Sequence, residues 1–259
     1  MATDARPFPV MTGTTEVEVA VLGPVEIRGA AHEFSRRAAT ELVVYLALHP
    51  RGASNDVWAA ALWPDRSVAP STLHSTASVA RRALGRSGDG SEHLTRCGGR
   101  LRLGPSVGTD IDRFVRAAST SDPSRWLNAL SLVRGRLFDG VSLSDWAVLD
   151  GTSAELESMV AATALQGAEE ALRLGSGEEA EWMIRRGLRV SPYDERLYRG
   201  LLRATEAKGN RLGLRSAMAE LLRLASDGDG ACLHPQTLAL YRELAHGQVP
   251  EGGEDLVRL

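Results

Sequence analysis

The sequence predicts a mainly α protein with a small β component, built as two parts in series. Three observations predict it. From residue 16 to residue 103 the pattern runs strand pair, helix, helix, helix, basic hairpin. From Asp110 onward apolar residues recur at helical spacing, with Gly, Pro or Asn at most joints. Two of those joints, Gly175 and Gly209, lie 34 positions apart, the period of stacked helical-hairpin repeats.

Each element has a local reason. Residues 1–15 are rich in Pro, Thr and Gly without periodicity and read as a tail or linker. Val17, Val19 and Val21 alternate, Gly23-Pro24 breaks the run, and Val25 and Ile27 resume it, which is a short hairpin or meander. Ser35 is placed to cap a helix over 36–49 with Ala39, Leu42, Val43 and Leu46 on its apolar face. Ser54 or Asn55 starts a second helix that ends at Trp63-Pro64, and Pro70-Ser71 starts a third over 72–84, closed by Gly85. Residues 93–103 read as two short strands joined at Gly98-Gly99. Helices follow over 110–118, 124–134, 154–174, 178–190, 194–208, 212–225 and 235–245. Pro192 closes the first repeat where such repeats place Pro, and a single hairpin cannot bury its apolar face alone, so neighbours must stack. The expected domains are 16–108 and 109–246, with tails at 1–15 and 247–259.

Composition narrows the class. The 259 residues are 43% hydrophobic and 24% charged, which excludes a fully disordered chain, and only two Cys, Cys97 and Cys232, exclude a disulfide scaffold. Neither Cys has metal-ligand spacing, so no metal is expected, and isolated thiols suit a reducing cytoplasm. No stretch approaches the roughly 20 apolar residues of a membrane span, and no signal peptide is visible, so no direct membrane contact is expected from this chain. Lys208 is the single lysine among 30 basic residues, a bias that reads as GC-rich codon usage.

Two short helices, a turn and a basic hairpin form the pattern of a winged helix-turn-helix. A helix fits the major groove, and a hairpin beside it reaches the backbone or the minor groove. On the 72–84 helix Leu73, Ala77, Ala80 and Leu84 make one apolar stripe. The other side carries Ser71, Ser75, Ser78 and Arg82, flanked by Thr72, His74 and Arg81. Hydroxyls and arginines let a backbone approach DNA closely and supply hydrogen bonds and charge. Arg86 follows the helix, and the hairpin adds Arg96, Arg100 and Arg102. Between Ser71 and Gly104 six arginines meet two acids, a local +4 in a chain of net charge −3. From Thr109 on, 18 basic residues meet 23 acidic ones, so the helical half is expected to bind protein or itself, not DNA. Most charged residues there, such as Arg185, Arg186, Arg189, Arg196, Arg199 and Arg203, are expected on solvated helix faces. Trp182, Met183, Leu197, Tyr198 and Leu201 are expected in the core.

Catalytic patterns are lacking. There is no phosphate loop, no nucleophile elbow and no His-Glu-x-x-His. Asp110 and Asp112 fit helix capping better than paired carboxylate chemistry. No enzyme activity and no cofactor are expected.

An ordered set of segments resembles the antibiotic-regulatory-protein type of bacterial transcriptional activator. They are Val21-Leu22-Gly23-Pro24-Val25-Glu26, Ala61-Leu62-Trp63-Pro64-Asp65, Ala80-Arg81-Arg82-Ala83-Leu84-Gly85, Gly98-Gly99-Arg100-Leu101-Arg102-Leu103 and Asp110-Ile111-Asp112-Arg113-Phe114. In the second half Arg134-Gly135-Arg136-Leu137, Trp146, Pro192-Tyr193-Asp194-Glu195 and the segment from Pro235 to Tyr241 continue it. The resemblance implies an OmpR-type winged helix joined to a bacterial transcriptional activator domain with TPR-like repeats. It also implies double-stranded DNA as a partner, and a protein partner such as RNA polymerase or a second copy. Residues 72–78 and the ending His234-Pro235-Gln236-Thr237 are similar to a subgroup fused to LysM and membrane segments, which implies a cytoplasmic part of an anchored protein. Ala80 stands where the family has Leu, Val79 where it has a basic residue, and Arg100 where the wing has Tyr. These departures keep a second reading open, a protein-interaction scaffold with a degenerate winged helix.

Overall fold

The computed structural model describes residues 15–120, 122–140, 151–227 and 233–246. The expected tails, apart from Thr15, together with Trp146 and Cys232, lie outside the described residues. By contacts the chain divides into two compact units, residues 1–121 with 132–156, and residues 122–131 with 157–259. The fold is mainly α, with a winged helix-turn-helix followed by TPR-like helical hairpins.

The first unit opens with β1 (Val17–Ala20) and β2 (Glu26–Arg28), followed by α1 (Arg37–Leu48), α2 (Asn55–Leu62) and α3 (Pro70–Leu84). The wing strands β3 (Leu94–Cys97) and β4 (Arg100–Leu103) come next, then β5 (Val107–Thr109) and α4 (Asp110–Ala118). β1 pairs antiparallel with β2 and parallel with β5, giving the order β2-β1-β5. β5 is absent from the sequence reading. Three residues buried on every side, Val107, Gly108 and Thr109, show no alternation to read. Helix starts differ in detail as well. Arg36, not Ser35, is the N-cap of α1, without a side-chain cap bond, while α3 begins two residues before 72, with Pro70 as its first residue.

The start of α4 is the best-tied point of this unit. Thr109 caps it through a reciprocal box with Asp112. Asp110 has a different task. Its buried carboxylate accepts the Val21 amide at 2.8 and 2.9 Å and the Leu22 amide at 2.9 Å. These are the amides that β1 leaves unpaired as it ends. The Arg134 guanidinium lies 3.7 Å away, and the 132–140 segment returns to the same place, with Arg134 N donating to Leu22 O and Phe138 N to Val21 O. The helix expected to run to Arg134 therefore stops at Ser131, because the following backbone hydrogen-bonds to β1 instead.

The second unit holds α5 (Pro123–Ser131), most of α6 (Thr152–Arg173), α7 (Gly177–Val190), α8 (Glu195–Ala207), α9 (Arg211–Asp227) and α10 (Pro235–His246). Met183, Leu197, Tyr198 and Leu201 are buried as expected. Trp182 is half-buried beneath the Arg186 guanidinium, 4.8 Å from its ring centroid. At Gly187 a Cβ would stand 2.9 Å from Leu197 Cδ2 and 3.0 Å from Ala164 Cβ, so glycine is what lets α6, α7 and α8 close on one another. Glu195 caps α10 from a distance, accepting the His234 amide at 3.0 Å and the Thr237 hydroxyl at 2.6 Å.

Burial pushes the Asp110 carboxyl up to about 6, against the opposing pull of the two amides and Arg134. The folded chain then holds this proton more tightly than the unfolded chain, whose Asp titrates near 3.8. The corresponding stabilisation is full below about pH 4 and lost as pH rises through about 6. Wild type should thus lose up to ~3 kcal/mol relative to Asp110→Asn between pH 4 and pH 7, measured by urea unfolding followed by Trp fluorescence. A difference that does not change with pH would refute it.

Candidate nucleic-acid interface

α3 presents two unlike faces. Leu73, Thr76, Ala77, Ala80, Ala83 and Leu84 are buried. Ser71, Thr72, His74, Ser78 and Arg82 are exposed, and Ser75 and Arg81 are half-exposed. Ser71, Ser75, Ser78 and Arg82 follow one another at steps of three and four, so they form a single stripe along the rod. Gly85 ends the helix at φ 78, a left-handed conformation, with its amide bonded to Arg81 O. Ala80 is fully buried, so it lies on the packed side and leaves the outer stripe unchanged.

The wing is a two-residue hairpin. Cys97 pairs with Arg100, and Gly98 and Gly99 take φ of 56 and 78 in the turn between them. Both positions need positive φ, which explains the Gly-Gly. β4 also pairs with the α1–α2 connection, where Ala53 and Leu101 exchange backbone hydrogen bonds of 2.8 and 2.9 Å.

The arginines divide into those with intramolecular partners and those without. Arg100 donates twice to Gly52 O, at 3.1 and 2.7 Å. Arg96 donates to Asn55 Oδ1 at 2.9 Å and to Gly99 O at 3.2 Å. Arg81 Nε donates to Leu94 O at 3.2 Å and lies 3.2 Å from Glu92 Oε2. Arg86 reaches Glu92 Oε1 at 3.1 Å and Gly90 O at 3.0 Å. Arg82 and Arg102 are exposed and make no such contact among the described residues. The positive surface between helix and wing is therefore interrupted by Glu92.

Sequence reasoning missed Arg36. Its Nη1 donates to Ser75 Oγ at 2.7 Å, adding a cation to the middle of the exposed stripe. The pair Arg36-Arg37 was visible in the sequence, but 39 residues separate Arg36 from Ser75, and only the packing of α1 on α3 brings them together.

The fold and this site place the chain among winged-helix proteins with a helical-repeat partner domain, and comparison with known proteins agrees. Residues 109–220 match the family model of the bacterial transcriptional activator domain. The structure of Mycobacterium tuberculosis EmbR in complex with a low-affinity phosphopeptide is similar over 91% of this chain and 66% of that one, with a TM-score of 0.61 and 22% identity. The chain thus spans just under two thirds of the length of that neighbour. No curated protein matches the chain.

Arg100 acts as a clamp between the wing and the α1–α2 connection. Arg100→Gln should lower stability by ~1 kcal/mol in urea unfolding, through loss of its bonds to Gly52 O. An unchanged unfolding midpoint would show that those bonds add nothing.

Proposed function

We propose that this chain is a DNA-binding transcriptional regulator. α3 enters the major groove with Ser71, Thr72, His74, Ser75, Ser78 and Arg82 outward. Arg81 and Arg86 stand at its C-terminal end. The hairpin bearing Arg96, Arg100 and Arg102 lies beside the phosphate backbone. The helical half, of domain boundary 109–246, serves dimerisation or contact with a protein such as RNA polymerase. The observation that carries this reading is the hydroxyl and arginine stripe of α3, exposed because the opposite stripe is buried. The match to the bacterial transcriptional activator domain and the fold shared with EmbR support it.

A second reading has its own observation. Arg81, Arg86, Arg96 and Arg100 are all engaged within the chain, which favours a scaffold whose winged helix contacts protein. A tether through segments outside this chain, the feature of the LysM-bearing subgroup, belongs with that reading. No helix among the described residues is long and apolar enough to cross a membrane.

Selection of genomic fragments on the purified chain at near-physiological salt separates the two. The regulator enriches one repeated motif. The scaffold enriches none and binds DNA only weakly and without sequence preference. On the selected motif Arg82→Glu should weaken binding by ~1–3 kcal/mol and flatten the salt dependence. Unchanged affinity and slope would remove Arg82 from the interface.

A further inference from the structure

A carboxylate stands among three arginines at one end of this surface. Arg81, Arg82, Arg86, Ser78 and Gly85 line an open groove at the C-terminal end of α3, and Glu92 lies in it. One carboxylate oxygen is 3.2 Å from Arg81 Nε and the other 3.1 Å from Arg86 Nη2. Three arginines thus line a groove with one anionic side chain, which pairs with two of them, and Arg82 keeps no partner among the described residues.

The position of Glu92 is set by the backbone. Arg86 and Glu92 are bridged antiparallel, across a closed loop in which Ser87 N donates to Ser91 O and Gly90 N to Ser87 O. The carboxylate is therefore held at the groove but is not locked there. Both Arg81 and Glu92 side chains keep 35% of their surface exposed, and Arg86 keeps 66%. Pairs this exposed are weak and screened by salt. The two arginines have second anchors, Leu94 O and Gly90 O, so they keep their places when the carboxylate swings out. A guanidinium fork takes a phosphate with the same geometry as a carboxylate.

We propose that Glu92 is a built-in competitor for a phosphodiester group. A backbone phosphate of the duplex enters the groove of Arg81, Arg82 and Arg86 and displaces the Glu92 carboxylate, which then faces the phosphate as a like charge. The cost is the same for every DNA sequence, so Glu92 lowers the sequence-independent part of the affinity and leaves base contacts by Ser75 and Ser78 untouched. This deepens the DNA-binding reading and rests on it.

The test is binding of the full chain to a mixed-sequence duplex over a salt series, for wild type and Glu92→Gln. The variant should bind several-fold tighter at low salt, with the gain shrinking as salt rises, because the like-charge repulsion it removes is screened by salt. Adding Arg86→Gln to Glu92→Gln should abolish the gain. Urea unfolding checks that each variant is folded, and Glu92→Ser must show the same gain as Glu92→Gln. If wild type binds and both Glu92 variants bind equally or more weakly, Glu92 only positions its arginines and the proposal is overturned, while the DNA-binding reading stands. If neither wild type nor variant binds the duplex at low salt, both fall.

Discussion

Burial of one stripe of α3 is the constraint on which the candidate interface depends. Leu73, Ala77, Ala80 and Leu84 pack inward, and a helix cannot turn one face in without turning the other out. Ser71, Ser75, Ser78 and Arg82 are outward for that reason alone. A forward slip of the rod by one residue would turn His74, Ser78 and Arg81 inward, so the packing of the apolar stripe fixes which side chains face out.

Around that rod the structure compensates much of its own charge. Of the wing arginines, Arg100 is drawn to Gly52 and Arg96 to Asn55, and Glu92 draws in Arg81 and Arg86. A local net charge counted along the sequence treats these six arginines as equivalent. In space they separate into clamps, shared partners and the exposed Arg82 and Arg102. The clamps hold the hairpin to the α1–α2 connection, in a fixed place beside α3.

The helical unit follows a different logic. Its charged side chains largely satisfy one another locally, as Arg185 does with Glu181 at 2.8 Å and Arg196 with Asp194 at 2.7 Å. Burial and the nearby Glu220 carboxylate push the Tyr198 phenol up, so it stays neutral and donates to Glu220. Glu195 ties α10 to α8 through a cap that no local pattern announces, since 39 residues separate it from His234.

What the sequence determined by itself was periodic or local: the helices, the Gly98-Gly99 turn, the face of α3, and the 34-residue step from Gly175 to Gly209. These depend on neighbours within one or two turns, and such neighbours are legible in order along the chain. Only the tertiary structure decided the rest. β5 has too few residues to show a period, and it exists because β1 offers it an edge. Asp110 looked like a capping residue, yet it serves amides 88 and 89 positions away. Arg36 joins the α3 stripe, and Glu92 subtracts from it, because packing sets the distance between charges, and Coulomb energy depends on that distance and not on separation in sequence.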